Sequence, residues 1–465
     1  MGQFPNCKNI EADKLYFLLA AEDLILPGDS EKEKTSHMES LRKMLQNLAY
    51  KKLVEAQEDK VSTTRMYKSC RLHAKTRSFC MIKGEDEDFF EIVDIKDQKK
   101  VRTSTRRLAV YLGKNEDGDA IQFMSRDTVR KIRTLLIFGT SDSKEKSWPE
   151  EITYLKEFSH LRVLDFDWVN FNVRKPPKGM DKLVLLRYLG LRECFLETLL
   201  SAISKLPGLE TLDLRCKMTL RKFLSNLKRL RHLFFPVVYE CDGNGKLQLQ
   251  GFQMVEIPVN FDTGACDIDD LSHFHNLQIL TTILEGKHDD IAGIIKYLDA
   301  KKANNLRQSC PEIRTSTVTR HANIYIHLLH IEGQIGDSLK EVEISPNFTE
   351  MVVDGSELDD DPMNILGKLT DLRRLTLCND AFIGREMTIS TWSKFPELRI
   401  LKLMNLQYLQ KVTFKEGTMP KLSTLEIKKC EGLEKVMMSK AWDNRLPLAQ
   451  AKKRDDVYLV EPPLQ

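Results

Sequence analysis

The sequence predicts an α/β leucine-rich-repeat solenoid, a horseshoe of stacked units, preceded by a small α-helical winged-helix domain. Three observations predict it. The frame L-x-x-L-x-x-L-x-L recurs from about residue 129 onward. Its period falls inside the roughly 20–29 residues of a leucine-rich unit. The first hundred residues lack the frame and instead carry three helical segments. The 465 residues suit one small domain and one array of roughly ten to thirteen units. The expected division is 1–105 for the winged helix, 106–440 for the repeats and 441–465 for a tail.

The frame is met by VRKIRTLLI (129–137), FSHLRVLDF (158–166), LVLLRYLGL (183–191), LPGLETLDL (206–214) and LKRLRHLFF (227–235). It returns in LTDLRRLTL (369–377), FPELRILKL (395–403) and MPKLSTLEI (419–427). Final anchors at 166, 191, 214 and 235, then 377, 403 and 427, give steps of 25, 23, 21, 26 and 24 residues. In each unit the last L-x-L is a short strand whose alternate side chains enter the core. One unit cannot bury its own apolar edge, so neighbours stack and share a core. Cys194 and Cys430, three residues past Leu191 and Ile427, sit where the repeat takes Asn or Cys to satisfy buried backbone. Between 236 and 368 the register is harder to hold. Phe274, Leu277 and Leu280, then Leu329 and Ile331, then Phe348, Met351 and Val353 read as degenerate units. Segments 238–270 and 284–322 are either insertions or irregular repeats. Asp361-Pro362 reads as a helix start, with Asp as the cap and Pro in the first turn. The acidic run Asp359–Asp361 is then a capped loop rather than a cation site.

The first hundred residues are a different object. LYFLLAAEDLIL (15–26), HMESLRKMLQNLAYKKLVEA (37–56) and CRLHAKTRSFCMIK (70–83) read as helical segments. Leu41, Leu45, Leu48 and the aliphatic stem of Lys52 make the apolar stripe of the second. The residues between the second and third read as a hairpin, the wing of a winged helix. Mixed charge on the helix Ser40–Tyr50 argues against a DNA-binding face.

Composition narrows the class. Lys+Arg 71 against Asp+Glu 68 leaves +3, too little for a nucleic-acid protein. The ten cysteines contain no C-x-x-C pair, so free thiols in a reducing compartment are expected. The most apolar early run is broken by Glu22 and Asp23 and is too short to span a bilayer. The expected place is the cytoplasm, with the nucleus as the alternative, although the basic stretch 96–107, KDQKKVRTSTRR, reads better as a connector. The sequon at Asn347 is expected to stay unmodified. No G-x-S-x-G or H-E-x-x-H frame occurs, so no enzyme and no metal are expected. Gly245-Lys246 and Gly367-Lys368 lack the rest of a phosphate-binding loop, so no nucleotide cofactor is expected either.

A repeat sheet presents the residues that alternate with its core leucines. The register places Asp165, Asp167, Tyr188, Arg192, Asp213, Arg215, His232 and Phe234 on that face in the first block. Arg374, Lys402, Glu426 and Lys428 follow in the second. Mixed charge with Tyr and Phe suits a protein partner, because aromatics and arginine anchor interfaces.

These parts resemble a known family. The "LAAED-LI" pattern within 15–26 and the helix ending in "LAYKKLVEA" are similar to the winged-helix subdomain of plant nucleotide-binding (NB-ARC) leucine-rich-repeat disease resistance proteins. "SCRLHAKTRSFCMIKGEDEDFFEI" resembles the segment bearing that family's Met-His-Asp motif. "DGSELDDDPMNILGKLTDLRRLTL" and "MPKLSTLEIKKCEGLEKV" resemble its coiled-coil class. The resemblance implies a defence protein whose solenoid recognises pathogen effectors or guarded host proteins. It implies binding of ADP and ATP by full-length members, with His73 matching the residue that contacts the ADP diphosphate. Here the motif reads Leu72-His73-Ala74, and Ala74 replaces the bracing aspartate. A nucleotide-binding core would have to be supplied in trans or be absent. Two other readings stay open. One is a leucine-rich substrate adaptor of a ubiquitin ligase, with an F-box in 1–60, which would retain a Skp-type adaptor. The other is an inactive, truncated receptor.

Overall fold

A computed structural model describes residues 1–6, 8–25, 37–58, 67–94, 100–112, 124–139, 155–169, 171, 177, 179–198, 203–220, 227–236, 239–241, 246–277, 279–283, 312–317, 320–325, 328–333, 349–390, 394–438 and 457–460. The chain divides into two compact units, Met1–Val255 and Glu256–Gln465. The fold is a leucine-rich solenoid preceded by a short helical region of winged-helix-like arrangement.

In the first unit, β1 (Ile10–Glu11) leads into α1 (Ala12–Ala21), followed by α2 (His37–Tyr50), β2 (Val54–Glu58), β3 (Tyr67–Leu72) and α3 (Ala74–Asp86). β2 and β3 pair antiparallel, Val54 opposite Leu72, and form the expected hairpin. β1 adds to its other edge, with Ile10 opposite Cys70. On α2, Leu45 is buried and Leu48 half-buried, while the side chain of Leu41 lies outside the described residues. Lys52 is corrected. It is exposed, at φ 56°, where the chain leaves the helix through a left-handed turn, so its stem joins no apolar stripe.

The repeat sheet follows: β4 (Glu91–Asp94), β5 (Arg107–Tyr111), then after the short helix α4 (Arg126–Lys131) β6 (Thr134–Phe138), β7 (Val163–Asp167), β8 (Tyr188–Arg192), β10 (Thr211–Asp213) and β12 (His232–Phe234). A second parallel ladder, β9 (Phe195–Thr198), β11 (Lys217–Leu220) and β13 (Tyr239–Cys241), runs in the same units. Strands β12-β10-β8-β7-β6-β5-β4 lie side by side in that order. Their pairing is parallel and in step. Leu164 faces Leu189, which faces Leu212, which faces Leu233. All four are fully buried. This is the period of the sequence converted into a stacked core.

The sheet starts earlier than the repeated frame. Leu108 and Val110 of β5 stand opposite Leu135 and Ile137 of β6, and Val93 of β4 opposite Val110. These strands have the alternation but not the upstream L-x-x-L turn, which is why frame-matching passes over them. In three units that carry the frame, a short 3-10 helix directly precedes the turn. Leu155–Glu157, Met180–Lys182 and Ile203–Lys205 bury Leu155, Met180 and Ile203 against the core. Cys194 fills its expected role, its Sγ donating to the Phe166 carbonyl at 3.6 Å.

The second unit contains β14 (Ile257–Val259), β15 (Phe261–Asp262), β16 (Ile279–Ile283), β17 (Glu312–Thr317), β18 (Arg320–Tyr325), β19 (Leu328–Gly333) and β20 (Glu350–Asp354). It continues with α5 (Met363–Leu366), β21 (Arg374–Cys378), β22 (Glu386–Ile389), β23 (Ile400–Met404), β24 (Lys411–Phe414), β25 (Thr424–Lys428), β26 (Lys435–Met438) and β27 (Val457–Val460). The degenerate units fall into register, Leu329 opposite Met351 and Met351 opposite Leu375. β18 runs antiparallel to both β17 and β19. A stack of identical units makes only parallel pairs, so this excursion is an insertion into the ladder. Residues 284–311 lie outside the described residues. Asp361 caps α5 as expected, its Oδ1 accepting from the Met363 N–H at 3.0 Å. Its Oδ2 accepts from the Thr388 N–H at 2.6 Å and ties β22 to the same loop. Among the described residues no helix is long and apolar enough to cross a membrane.

Candidate functional site

In the first block the outward register is as the repeat predicts, but the face is not open. Residues 8–23 lie across it. The sequence builds this locally. Glu11, Lys14, Phe17 and Ala21 recur at helical spacing on one side of α1 and its approach. Lys14, Phe17 and Ala21 are all buried.

The Lys14 Nζ is 2.7 Å from Asp165 Oδ2 and 3.1 Å from Asp167 Oδ2. Lys8 reaches the same Asp167 oxygen at 2.7 Å. Burial by itself raises the Asp167 carboxyl, but Lys14 and Lys8 outweigh it and hold it at about 2. Asp165 is the deeper of the two. Burial pushes its carboxyl up, and the neighbouring Asp167 adds to that push against the pull of Lys14. Gly190 makes room for it, since a Cβ there would sit 2.1 Å from Asp165 Oδ1. Tyr188, wholly buried beside these carboxylates, has its phenol pushed well above its ordinary value, by burial first and by Asp165 and Asp213 next.

One step along the sheet, Arg215 holds Asp213 through two bonds, Nε to Oδ1 at 2.9 Å and Nη2 to Oδ2 at 2.6 Å. Its Nη1 donates to Glu11 Oε2 at 2.8 Å, and Arg192 reaches Glu11 Oε1 at 2.8 Å. Against the desolvation of burial, Arg215 and Arg192 bring the Glu11 carboxyl down to about 2. Phe17 lies 4.4 Å from the His232 ring and 5.5 Å from that of Phe234. Burial, helped by Arg231, lowers His232 to about 3, so it is a neutral imidazole bonded to Thr211 Oγ1 at 2.8 Å. At the helix end, Asp23 bridges Arg162 and Arg187, each at 2.5 Å. Glu22 takes Arg107 at 2.8 Å and the Thr134 hydroxyl at 2.5 Å.

Asp165, Asp167, Tyr188, Asp213, His232 and Phe234 are therefore buried beneath the chain's own N-terminal segment, and Arg192 and Arg215 are committed to Glu11. Sequence reasoning placed these residues on the right face and missed their occupant. Lys14 alone hints that the helix face is used, a cation in line with Phe17 and Ala21, but nothing local names its partners.

The second block is different. Arg374 pairs with Glu350 at 3.5 Å, and Lys402 with Glu426 at 3.0 Å. Lys428 joins the same carboxylate. Partial burial pulls Glu426 upward, but these two lysines hold it below its ordinary value. Arg374, Lys402 and Lys428 remain half-exposed. Beside them the Asn405 amide donates to Asn379 Oδ1 at 3.0 Å, and Asn379 donates to Asp354 Oδ1 at 2.8 Å, a ladder along the strand ends.

His73 is at the start of α3, exposed, with its ring nitrogen accepting from the Lys75 N–H at 3.4 Å. It acts as a helix cap. In the basic stretch 96–107, residues 96–99 lie outside the described residues, and Arg102 donates to the Glu85 carbonyl at 2.7 Å. Among the described residues no group of three or more His, Cys, Asp or Glu is placed to hold a metal ion.

Comparison with known proteins places these features in context. The family model described as "Leucine-rich repeat region" matches residues 131–444. The Putative disease resistance protein At1g59780 of Arabidopsis thaliana is 27% identical over 446 residues, covering 94% of this chain and 46% of the relative. Disease resistance protein RPP8 of the same plant is 26% identical over 456 residues, covering 94% and 47%. The chain thus spans about half the length of the curated relatives it matches. Among solved structures, a leucine-rich-repeat protein of Leptospira interrogans aligns with a TM-score of 0.38 at 14% identity, covering 77% of this chain and 86% of that one.

Proposed function

The chain belongs to the leucine-rich-repeat family, and from that premise we propose that it is an intracellular plant disease resistance protein whose solenoid recognises a pathogen effector or a guarded host protein. The observation that carries this reading is similarity to disease resistance proteins along 94% of the chain. The recognition face is the second block. Arg374, Lys402 and Lys428 form a half-exposed row set around the buried carboxylate of Glu426, mixed charge of the kind that gives specificity rather than bulk attraction. The first block serves the chain itself, by docking residues 8–23.

In this reading the described residues work together with a nucleotide-binding core. It docks on α3, whose Phe79 and Ile82 are exposed one turn apart. No ADP or ATP site is assigned to this chain, because His73 is already spent as a cap and Ala74 replaces the aspartate of the motif. The cytoplasm is the proposed compartment.

The test is expression of the full chain in leaf tissue with a candidate effector or host protein, followed by co-precipitation and scoring of defence output. Charge reversal at Arg374, Lys402 and Lys428 together abolishes both on this reading. Retained partner binding and retained output in that variant would remove the second block from consideration.

A further inference from the structure

The turn row of the first unit carries an anomaly. In three of the five L-x-x-L turns of this unit the two middle residues are polar and exposed: Arg130-Lys131, Ser159-His160 and Lys228-Arg229. Val184 and Leu185 break the pattern, 53% and 48% exposed. Pro207, at the equivalent position of the next unit, is exposed beside them. Gly208 explains how the two turns become one surface. A Cβ on it would lie 3.3 Å from both the Val184 and Leu186 carbonyl oxygens, so the second turn rests directly on the backbone of the first. The result is an apolar ledge that the described residues leave exposed.

The ledge has a charged rim. Lys182 and Lys205 directly precede the two turns, Lys228 and Arg229 occupy the turn of the unit stacked next, and all four are exposed. Against them stand Asp181, 3.3 Å from Lys182, and Glu157, which faces Arg126 at 3.9 Å. On the far side, His160 is tied back to the Arg130 carbonyl at 2.7 Å.

We propose that this ledge is a docking surface for an acidic, apolar-anchored peptide segment of a partner protein. The apolar centre takes Leu- or Phe-like side chains, and the lysine and arginine rim takes the flanking carboxylates. Charge complementarity selects an acidic segment over a basic one. The apolar centre selects a peptide over a polyanion, because a phosphate backbone has nothing to place on Val184 and Leu185. A chain with 71 basic and 68 acidic residues also lacks the general field that a polyanion follows. This surface is independent of the second-block reading.

The test uses the full chain and a fluorescein-labelled peptide with Leu and Phe spaced among Asp and Glu, titrated by anisotropy. The comparison peptide has every Asp and Glu replaced by Lys. The acidic peptide is expected to bind, and to bind about tenfold more weakly to Val184→Asp and to Leu185→Asp. A similar loss is expected in the double variant Lys205→Glu, Lys228→Glu, whose exposed positions leave the fold unaffected by circular dichroism. Equal binding of the two peptides, parental binding by the variants, or no binding of the acidic peptide would each overturn the proposal. Capture of phosphatidylserine vesicles in place of the peptide would overturn it too, by assigning the ledge to a membrane.

Discussion

Lys14 shows how much one buried cation can organise. It stands 4% exposed between Asp165 and Asp167, with Lys8 completing the charge balance on Asp167. Lys14→Met would leave buried carboxylates without their partner, and the first unit should lose about 3–5 kcal/mol in denaturant unfolding. Gly190 acts on the same carboxylate through space. Gly190→Ala puts a methyl group 2.1 Å from Asp165 Oδ1, and a loss of about 1–3 kcal/mol is expected. The pH dependence follows from Glu11 and Asp167. Both are held at about 2 in the folded chain, against 4.5 and 3.8 for the free groups. Lowered values contribute stability that is present above about 4.5 and lost as pH falls toward about 2. Asp165 is raised and runs the other way, favouring the folded state at low pH and less so as pH rises through its folded value. His232, lowered from 6.5 to about 3 by burial, adds stability that is lost as pH falls below about 6.5. Asp23, against desolvation, is lowered by Arg187 and Arg162. The lowered groups outnumber Asp165, and net loosening is expected on acidification. The protection factors of the amides in residues 8–23, exchange rates corrected for the intrinsic rate at each pH, should fall between pH 4.5 and pH 2, and unchanged protection over that range would refute the assignment.

At the scale of elements, two kinds of local structure behave differently. The repeat strands are specified one residue at a time, since Leu164, Leu189, Leu212 and Leu233 each face the next across a parallel pair. Leu189→Ala, in the middle of that row, should cost about 2–5 kcal/mol. Helix α1 is specified by what it lies on. Its Phe17 packs on His232 and Phe234, so Phe17→Ala should free the segment before it unfolds the sheet. The measurement is proteolysis within residues 8–25 at concentrations that leave the repeats intact. Asp361 joins the two kinds. It caps α5 and accepts from Thr388 of β22, so Asp361→Ala should cost about 1–2 kcal/mol in the second unit.

At the scale of the molecule, removal of residues 1–25 should uncover the first-block face. Tyr188, His232 and Phe234 would then meet water, and binding of a hydrophobic dye should rise while the repeat sheet keeps its circular dichroism signal. No rise in dye binding would mean that the face closes by another route. The truncated chain should also become more sensitive to salt, because Asp165, Asp167 and Asp213 would sit on an open surface.

The repeat period, the strand register, the capping role of Asp361 and the Cys194 contact were all legible in the sequence. Each is a short-range pattern, complete within one unit or between one unit and the next. The two strands ahead of the frame were not legible, and the antiparallel β17–β18 excursion was legible only as one of two readings of 284–322, because neither carries the turn that marks a unit. Occupancy of the concave face was decided only in three dimensions. Glu11 meets Arg215 across 204 residues, Lys14 meets Asp167 across 153 and Asp23 meets Arg187 across 164. Periodicity determines which side chains point outward. Whether that outward face meets solvent or another part of the same chain depends on long-range charge and ring pairings, and no local pattern encodes them.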